Sequence, residues 1–258
     1  MCLNSIVFII ATIGDIPADI DNLLHDPKVQ EMLLMIERKE SVNIGYYNPF
    51  KRLREIGLIS EDALSFPLIL KEDYERIASE IGLMVNEVSE LVSHGLSGLA
   101  EGSKEILSVA ALGELDTALD DFLLGRVNAM KLDSGEAIFC GFEGAIPMAY
   151  RSWCDEKEEG FVCTIEVGEP RSVVCTSIDA NSPIYAGSKQ MADLAEGVIE
   201  WCLPEANVWA DDLDLTGLRR DMFLYGSTKL IYNKSMVLLK ERGEILWDVT
   251  LRYMIKGL

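Results

Sequence analysis

The apolar residues of this chain change their spacing at Asp133-Ser-Gly135, and that change limits what can fold on either side of it. Over 104–130, Ile106, Val109, Leu112, Leu115, Leu119, Phe122, Val127 and Met130 recur at helical period, with Glu114, Thr117, Asp120 and Asp121 mostly on the other side. Beyond the break the period falls to two, and 137–142, 145–153, 160–167 and 171–178 read as short strands split by Gly, Pro and charged turns. Phe161, Cys163, Ile165 and Val167 share a face opposite Thr164 and Glu166, and Val173 and Cys175 alternate with Val174 and Thr176. Consecutive strands on short connections imply an antiparallel sheet.

Helix returns over 187–202, where Met191, Leu194, Ala195, Val198 and Ile199 form the buried face and Pro204 lies just past the end. The stretches 229–232, 236–240 and 245–255 then read as a strand meander, with Arg242-Gly243-Glu244 at its last turn. The expected architecture is therefore α+β. It has a mostly helical module over 1–103, a connecting helix over 104–131, and an antiparallel-sheet domain with at least one packed helix over 132–258. The broad stripe of the 104–130 helix suits core packing, and it also offers a surface for a homodimer.

Composition limits the partners. Of the 258 residues 49% are hydrophobic, enough to build cores without staples. The 43 acidic and 23 basic residues leave a formal charge of -20, which disfavours nucleic acid and anionic membrane. A basic protein surface, a cation or solubility remains. The apolar run over 6–13 stops at Gly14-Asp15, short of the roughly eighteen residues that suggest a membrane span. No Lys or Arg precedes it, as a signal peptide requires, so it reads as a buried strand or short helix. Cys2, Cys140, Cys154, Cys163, Cys175 and Cys202 have no close pairs and read as reduced thiols, which makes the cytoplasm the expected location.

Within the helical module, Asp26-Pro27 opens a helix with Val29, Met32, Leu33 and Ile36 as its stripe, and the charged run 37–40 ends it. Further on, over 74–93, Ile77, Ala78, Ile81, Leu83, Val88 and Leu91 recur at helical spacing around Gly82. Ala78 is a small residue four before that glycine and Val88 a branched one six after it, and the stretch resembles a helix-turn-helix with its turn at Gly82. The resemblance implies a second helix over 84–93 that reads bases, with Asn86 and Ser89 as candidate contacts. The chemistry of that helix is acidic: Glu87 and Glu90 would repel phosphate, and it carries no Lys or Arg.

A competing register lies upstream. Residues 45–49 read as a turn, followed by Phe50, Leu53, Ile56 and a terminating Gly57 on a segment that carries Lys51, Arg52 and Arg54. A short helix ending in Glu-Ile-Gly-Leu-Ile, with 64–70 after it, resembles the recognition helix and wing of a winged helix. Lys51, Arg52 and Arg54 are therefore the better candidates for phosphate contact, and local salt bridges in an acidic chain are the alternative reading.

Linear signs of catalysis are few. Only His25 and His94 are present, too few for His-rich zinc sites or two-histidine chemistry. The cysteines lack the close spacing of zinc knuckles. Cys2 follows Met1, so methionine removal would expose an N-terminal thiol with its own amine as base, and Cys2 is the candidate nucleophile. Asp212-Leu-Asp214-Leu-Thr216-Gly217 matches the first half of a calcium loop, making Asp212 and Asp214 candidate ligands. Arg220 and Phe223 stand where the second half needs oxygens. The tryptophans all lie in the C-terminal half, where with neighbouring tyrosines they line a core or a small-molecule pocket.

The reading that follows is a non-catalytic intracellular regulatory or adaptor protein, without a cofactor, that binds a protein partner or a small ligand. The first alternative is a helix-turn-helix transcription regulator with a C-terminal effector-sensing domain. The second is an enzyme with a carboxylate-based or N-terminal Cys site.

Overall fold

In the computed structural model the described residues are 8–14, 17–42, 44–61, 63–97, 115–116, 118–132, 135–143, 152–157, 160–167, 172–179, 183–246 and 254–255. Helices α1 (Ala18–Leu24), α2 (Pro27–Glu37), α3 (Tyr47–Glu55), α4 (Lys71–Ser97), α5 (118–126), α6 (Pro183–Asp212) and α7 (Gly217–Glu241) alternate with short strands, so the coarse class is α+β. The chain forms two compact units, each assembled from three separate segments. The first takes Met1–Ile81, Arg126–Met148 and Glu205–Leu230, and the second takes Gly82–Gly125, Ala149–Pro204 and Ile231–Leu258.

The first unit is built on a mixed sheet. Strand β6 (Gly135–Glu143) pairs antiparallel with β1 (Phe8–Gly14), from Phe8 against Glu143 to Gly14 against Ala137, and parallel with the short β4 (Leu68–Ile69). Strand β5 (Met130–Leu132) folds back on the start of β6. Ala137, Ile138, Phe139 and Cys140 on β6 are fully buried, and the Phe139 ring lies 6.0 Å from that of Phe66. Asp26 caps α2 as its sequence suggests: the carboxylate accepts from the Lys28 amide at 2.8 Å, and Pro27 occupies the first turn, where no amide is needed. Helix α3 stops at Gly57, whose φ of +81° a side chain would resist, and the two-residue strands β2 (Ile59–Ser60) and β3 (Ala63–Leu64) follow as a hairpin.

The second unit holds the antiparallel sheet β7 (Ser152–Lys157), β8 (Gly160–Val167) and β9 (Ser172–Asp179), close to the strands expected over 160–167 and 171–178. Strands β10 (Ile245–Leu246) and β11 (Met254–Ile255) pair antiparallel beyond α7. Helix α6 runs antiparallel to α4 in this unit: the Trp201 indole donates to Glu87 at 3.0 Å, and Gly95 meets Leu194 about two turns further along α4. A Cβ at position 95 would stand 2.6 Å from a Leu194 methyl, so glycine there allows the close approach. Helix α7 runs parallel to α4, with the Ser235 hydroxyl donating to the Val85 carbonyl at 3.0 Å and Arg242 paired with Glu90.

Three expectations are corrected. The turn at Gly82 does not form, since α4 is one helix from Lys71 to Ser97. Ile77, Ile81, Met84, Val88, Val92 and Leu96 make a single unbroken buried stripe, whereas Leu83, which a turn would place inside, is exposed. Burying each apolar side chain contributes about 1.5–3 kcal/mol, against about 1 kcal/mol for a glycine inside a helix, so the stripe wins. The stretches 229–232 and 236–240 are helical, as part of α7, which is buried on nearly every side from Met222 to Leu239. A helix without a polar face has no helical period to read. Helix α6 does not end at Cys202 but continues past Pro204 to Asp212. Pro204 and Glu200 are both exposed, so the Glu200 carbonyl that loses its helical partner faces solvent.

Of the expected 104–130 helix, residues 115–116 and 118–126 are helical, with Leu115, Leu119 and Leu123 fully buried, but the helix ends at 126 and Met130 already belongs to β5. Asp120, expected on its polar face, is also buried, together with Asp116. Residues 104–114 lie outside the described residues, and with them much of the surface read as a homodimer contact. Among the described residues no helix is long and apolar enough to cross a membrane.

The continuity of α4 gives a prediction of definite sign. Nothing lies within 4 Å of a Cβ built on Gly82. Gly82→Ala is expected to raise unfolding free energy by about 0.5–1 kcal/mol in urea titrations, because alanine restricts the unfolded chain and suits the helix. A loss of stability instead would mean that a turn, and not a helix, occupies this position.

Candidate functional site

The first unit carries a cleft of about 750 Å³. One wall is the end of α2 and the chain after it, with Ile36, Lys39, Glu40, Ser41 and Val42. The second is the entry to α3, with Tyr46, Tyr47 and Phe50, and the third is the β2–β3 hairpin, with Ser60, Glu61 and Ala63. Three aromatic rings thus fall within five residues around Pro49, because the turn before α3 presents Tyr46 and Tyr47 together and Phe50 follows one helical turn after Tyr47.

The backbone around the cleft is held in unusual conformations. Lys39 has φ +57° and Glu61 φ +54°, and the third non-glycine residue of this kind among those described, Asp214, lies elsewhere. Lys39 closes α2 in the position where glycine is usual, with the Glu40 amide reaching back to the Met35 carbonyl at 2.8 Å. Glu61 sits in the tight loop of the hairpin, another place for Gly, Asn or Asp. A left-handed side-chain residue costs about 1–2 kcal/mol, and such strain collects at binding and switch sites. Both residues line the cleft.

Tyr46 is oriented by Glu31, to which its hydroxyl donates at 2.8 Å. That hydrogen bond, then burial and the negative charge of Glu31, raises the Tyr46 pKa above the ordinary phenol value, so the ring keeps its proton at neutral pH. Ser41 and Ser60 add hydroxyls to the lining. An aromatic wall with a few hydroxyls and charges of both signs suits a ligand that is part apolar and part hydrogen-bonding.

The residues singled out in the sequence lie mostly elsewhere. Lys51, Arg52 and Arg54 are exposed on α3. Lys51 meets Glu55 at 3.7 Å and Arg52 meets Asp19 at 3.0 Å, while Arg54 has no ion-pair partner among the described residues. Asn86 donates to the Gly82 carbonyl of its own helix at 2.9 Å. Ser89 is fully buried, with its hydroxyl on the Asn86 carbonyl, so it has no access to a groove. Asp212 ends α6 and Asp214 lies in the turn before α7, where the Asp214 amide bonds the Asp211 carbonyl at 3.0 Å. Among the described residues no three His, Cys, Asp or Glu side chains gather to hold a metal ion. Cys2 lies outside the described residues.

The buried thiols are poor nucleophiles. Burial pushes the Cys202 thiol up to about 12, and Cys140 is raised further, with the Arg219 charge pulling it the other way. In the sequence the C-terminal aromatics are the more conspicuous cluster, and this cleft lies away from them. The available signal was the run Tyr46-Tyr47-Asn-Pro-Phe50 beside Gly45. No family model matches this chain, and neither a curated protein nor a solved structure matches it.

Proposed function

We propose that this chain is a non-catalytic regulatory or adaptor protein of the cytoplasm, and that the α2–α3–hairpin cleft takes a segment of a protein partner or a small ligand. The observation that supports the reading most is the coincidence of three rings with two strained, charged residues around one concave surface. The test replaces Tyr47 with a photo-crosslinking phenylalanine analogue and irradiates in an extract of the cells the chain comes from. A discrete adduct is expected at Tyr47 and is lost when Phe50→Ala and Glu61→Gly reshape the walls. The same adducts from a crosslinker at exposed Lys189 would overturn the reading.

A second reading is favoured by the order helix, hairpin and exposed cations in α3, β2 and β3: a transcription regulator touching phosphate through Lys51, Arg52 and Arg54. Two of those cations are already paired with carboxylates, which weakens it. Retention on duplex DNA at low salt, lost in a Lys51→Ala/Arg54→Ala variant, would decide for this second reading.

A further inference from the structure

Among the described residues Leu83 and Trp201 are two of only four large hydrophobic side chains left exposed, at 66% and 54%. Both belong to the second unit, and Glu87 links them. The Trp201 indole donates to Glu87 at 3.0 Å, and Leu83 is one helical turn before Glu87 on the same face of α4. Exposed Pro204, one turn after Trp201, extends the apolar strip along α6.

The indole nitrogen is satisfied by its glutamate, so the ring is held in place and its apolar faces remain in water. A fixed, exposed indole is the residue type most often found at the energetic centre of an interface. Acidic side chains lie close by. Glu87 and Glu200 stand at the rim, and Glu90 lies one turn further on, already matched by Arg242. In a chain of formal charge -20 this surface attracts cations from a distance and holds apolar groups at contact.

We infer that the Leu83–Trp201 strip of α4 and α6 is a docking surface for a basic amphipathic helix, a partner segment that presents apolar residues on one face and Lys or Arg beside them. The groove between two antiparallel helices receives the apolar face, and Glu87 and Glu200 meet the flanking cations. This surface is separate from the aromatic cleft and does not depend on it.

The test titrates the full chain into a fluorescently labelled amphipathic peptide of Leu and Lys, about five helical turns long, and reads anisotropy. A second peptide carries Glu at every Lys position. Saturable binding of the basic peptide alone is expected, weakened about tenfold by Trp201→Ala and by Leu83→Ala. Glu87→Gln/Glu200→Gln should weaken it and flatten its salt dependence, whereas Glu72→Gln/Glu241→Gln, with the same charge change elsewhere, should not. Equal effects of the two double variants would show general attraction to an acidic protein and overturn the proposal. Binding of the acidic peptide, or self-association of the chain that Trp201→Ala abolishes, would also overturn it. Circular dichroism melts of each variant confirm folding, and Trp201→Phe, which keeps an apolar ring, should retain most of the affinity.

Discussion

Trp209→Ala should destabilise the first unit by about 3–5 kcal/mol, the range for truncating a large buried aromatic. The indole is 0% exposed. Its nitrogen donates to Glu80, so truncation removes both the ring's packing and one charge-assisted hydrogen bond. Trp209→Phe separates the two contributions: it retains most of the packing and should cost about 1–2 kcal/mol, mainly the lost hydrogen bond. The internal control is Trp201→Ala. That indole also donates to a glutamate of α4, but it is 54% exposed, and its loss should change stability by less than about 0.5 kcal/mol. Urea unfolding followed by circular dichroism measures all three. Equal losses at 209 and 201 would mean that the glutamate contacts, not burial, set the energetics of this helix pair.

The contrast between these two tryptophans also shows what the sequence can and cannot disclose. Local chemistry was legible: Asp26-Pro27 starts α2, Gly57 ends α3, and the period-two stretches over 160–167 and 171–178 became β8 and β9. These features are decided within a few residues by caps, φ values and alternation. What failed was decided by packing. Gly82 reads as a turn unless the stripe from Ile77 to Leu96 is weighed as one buried surface. Residues 229–240 read as strands because a helix enclosed on nearly every side shows no amphipathic period. The aromatic cleft was missed for a related reason: its walls come from α2, α3 and a hairpin, and only the fold shows that Lys39 and Glu61 meet the rings of Tyr46, Tyr47 and Phe50 around one cavity.

Asn233→Leu should stabilise the second unit by about 1–3 kcal/mol, an unusual sign for a core substitution. Asn233 is 3% exposed on α7, and among the described residues neither its amide nitrogen nor its oxygen has a hydrogen-bonding partner. Burying an unpaired amide carries a desolvation penalty in the folded state that the unfolded chain does not bear. Leucine has the same branching and number of side-chain heavy atoms, and it removes the penalty while adding apolar burial. Ser235, two residues on, is the counter-case: its hydroxyl donates to the Ile231 and Val85 carbonyls. Ser235→Ala should therefore cost about 1 kcal/mol although it too makes the helix more apolar. Thermal and urea unfolding of the two variants should move in opposite directions. If Asn233→Leu instead lowers stability, the amide has a polar partner in solution, and α7 carries a buried polar site where the fold shows only packing.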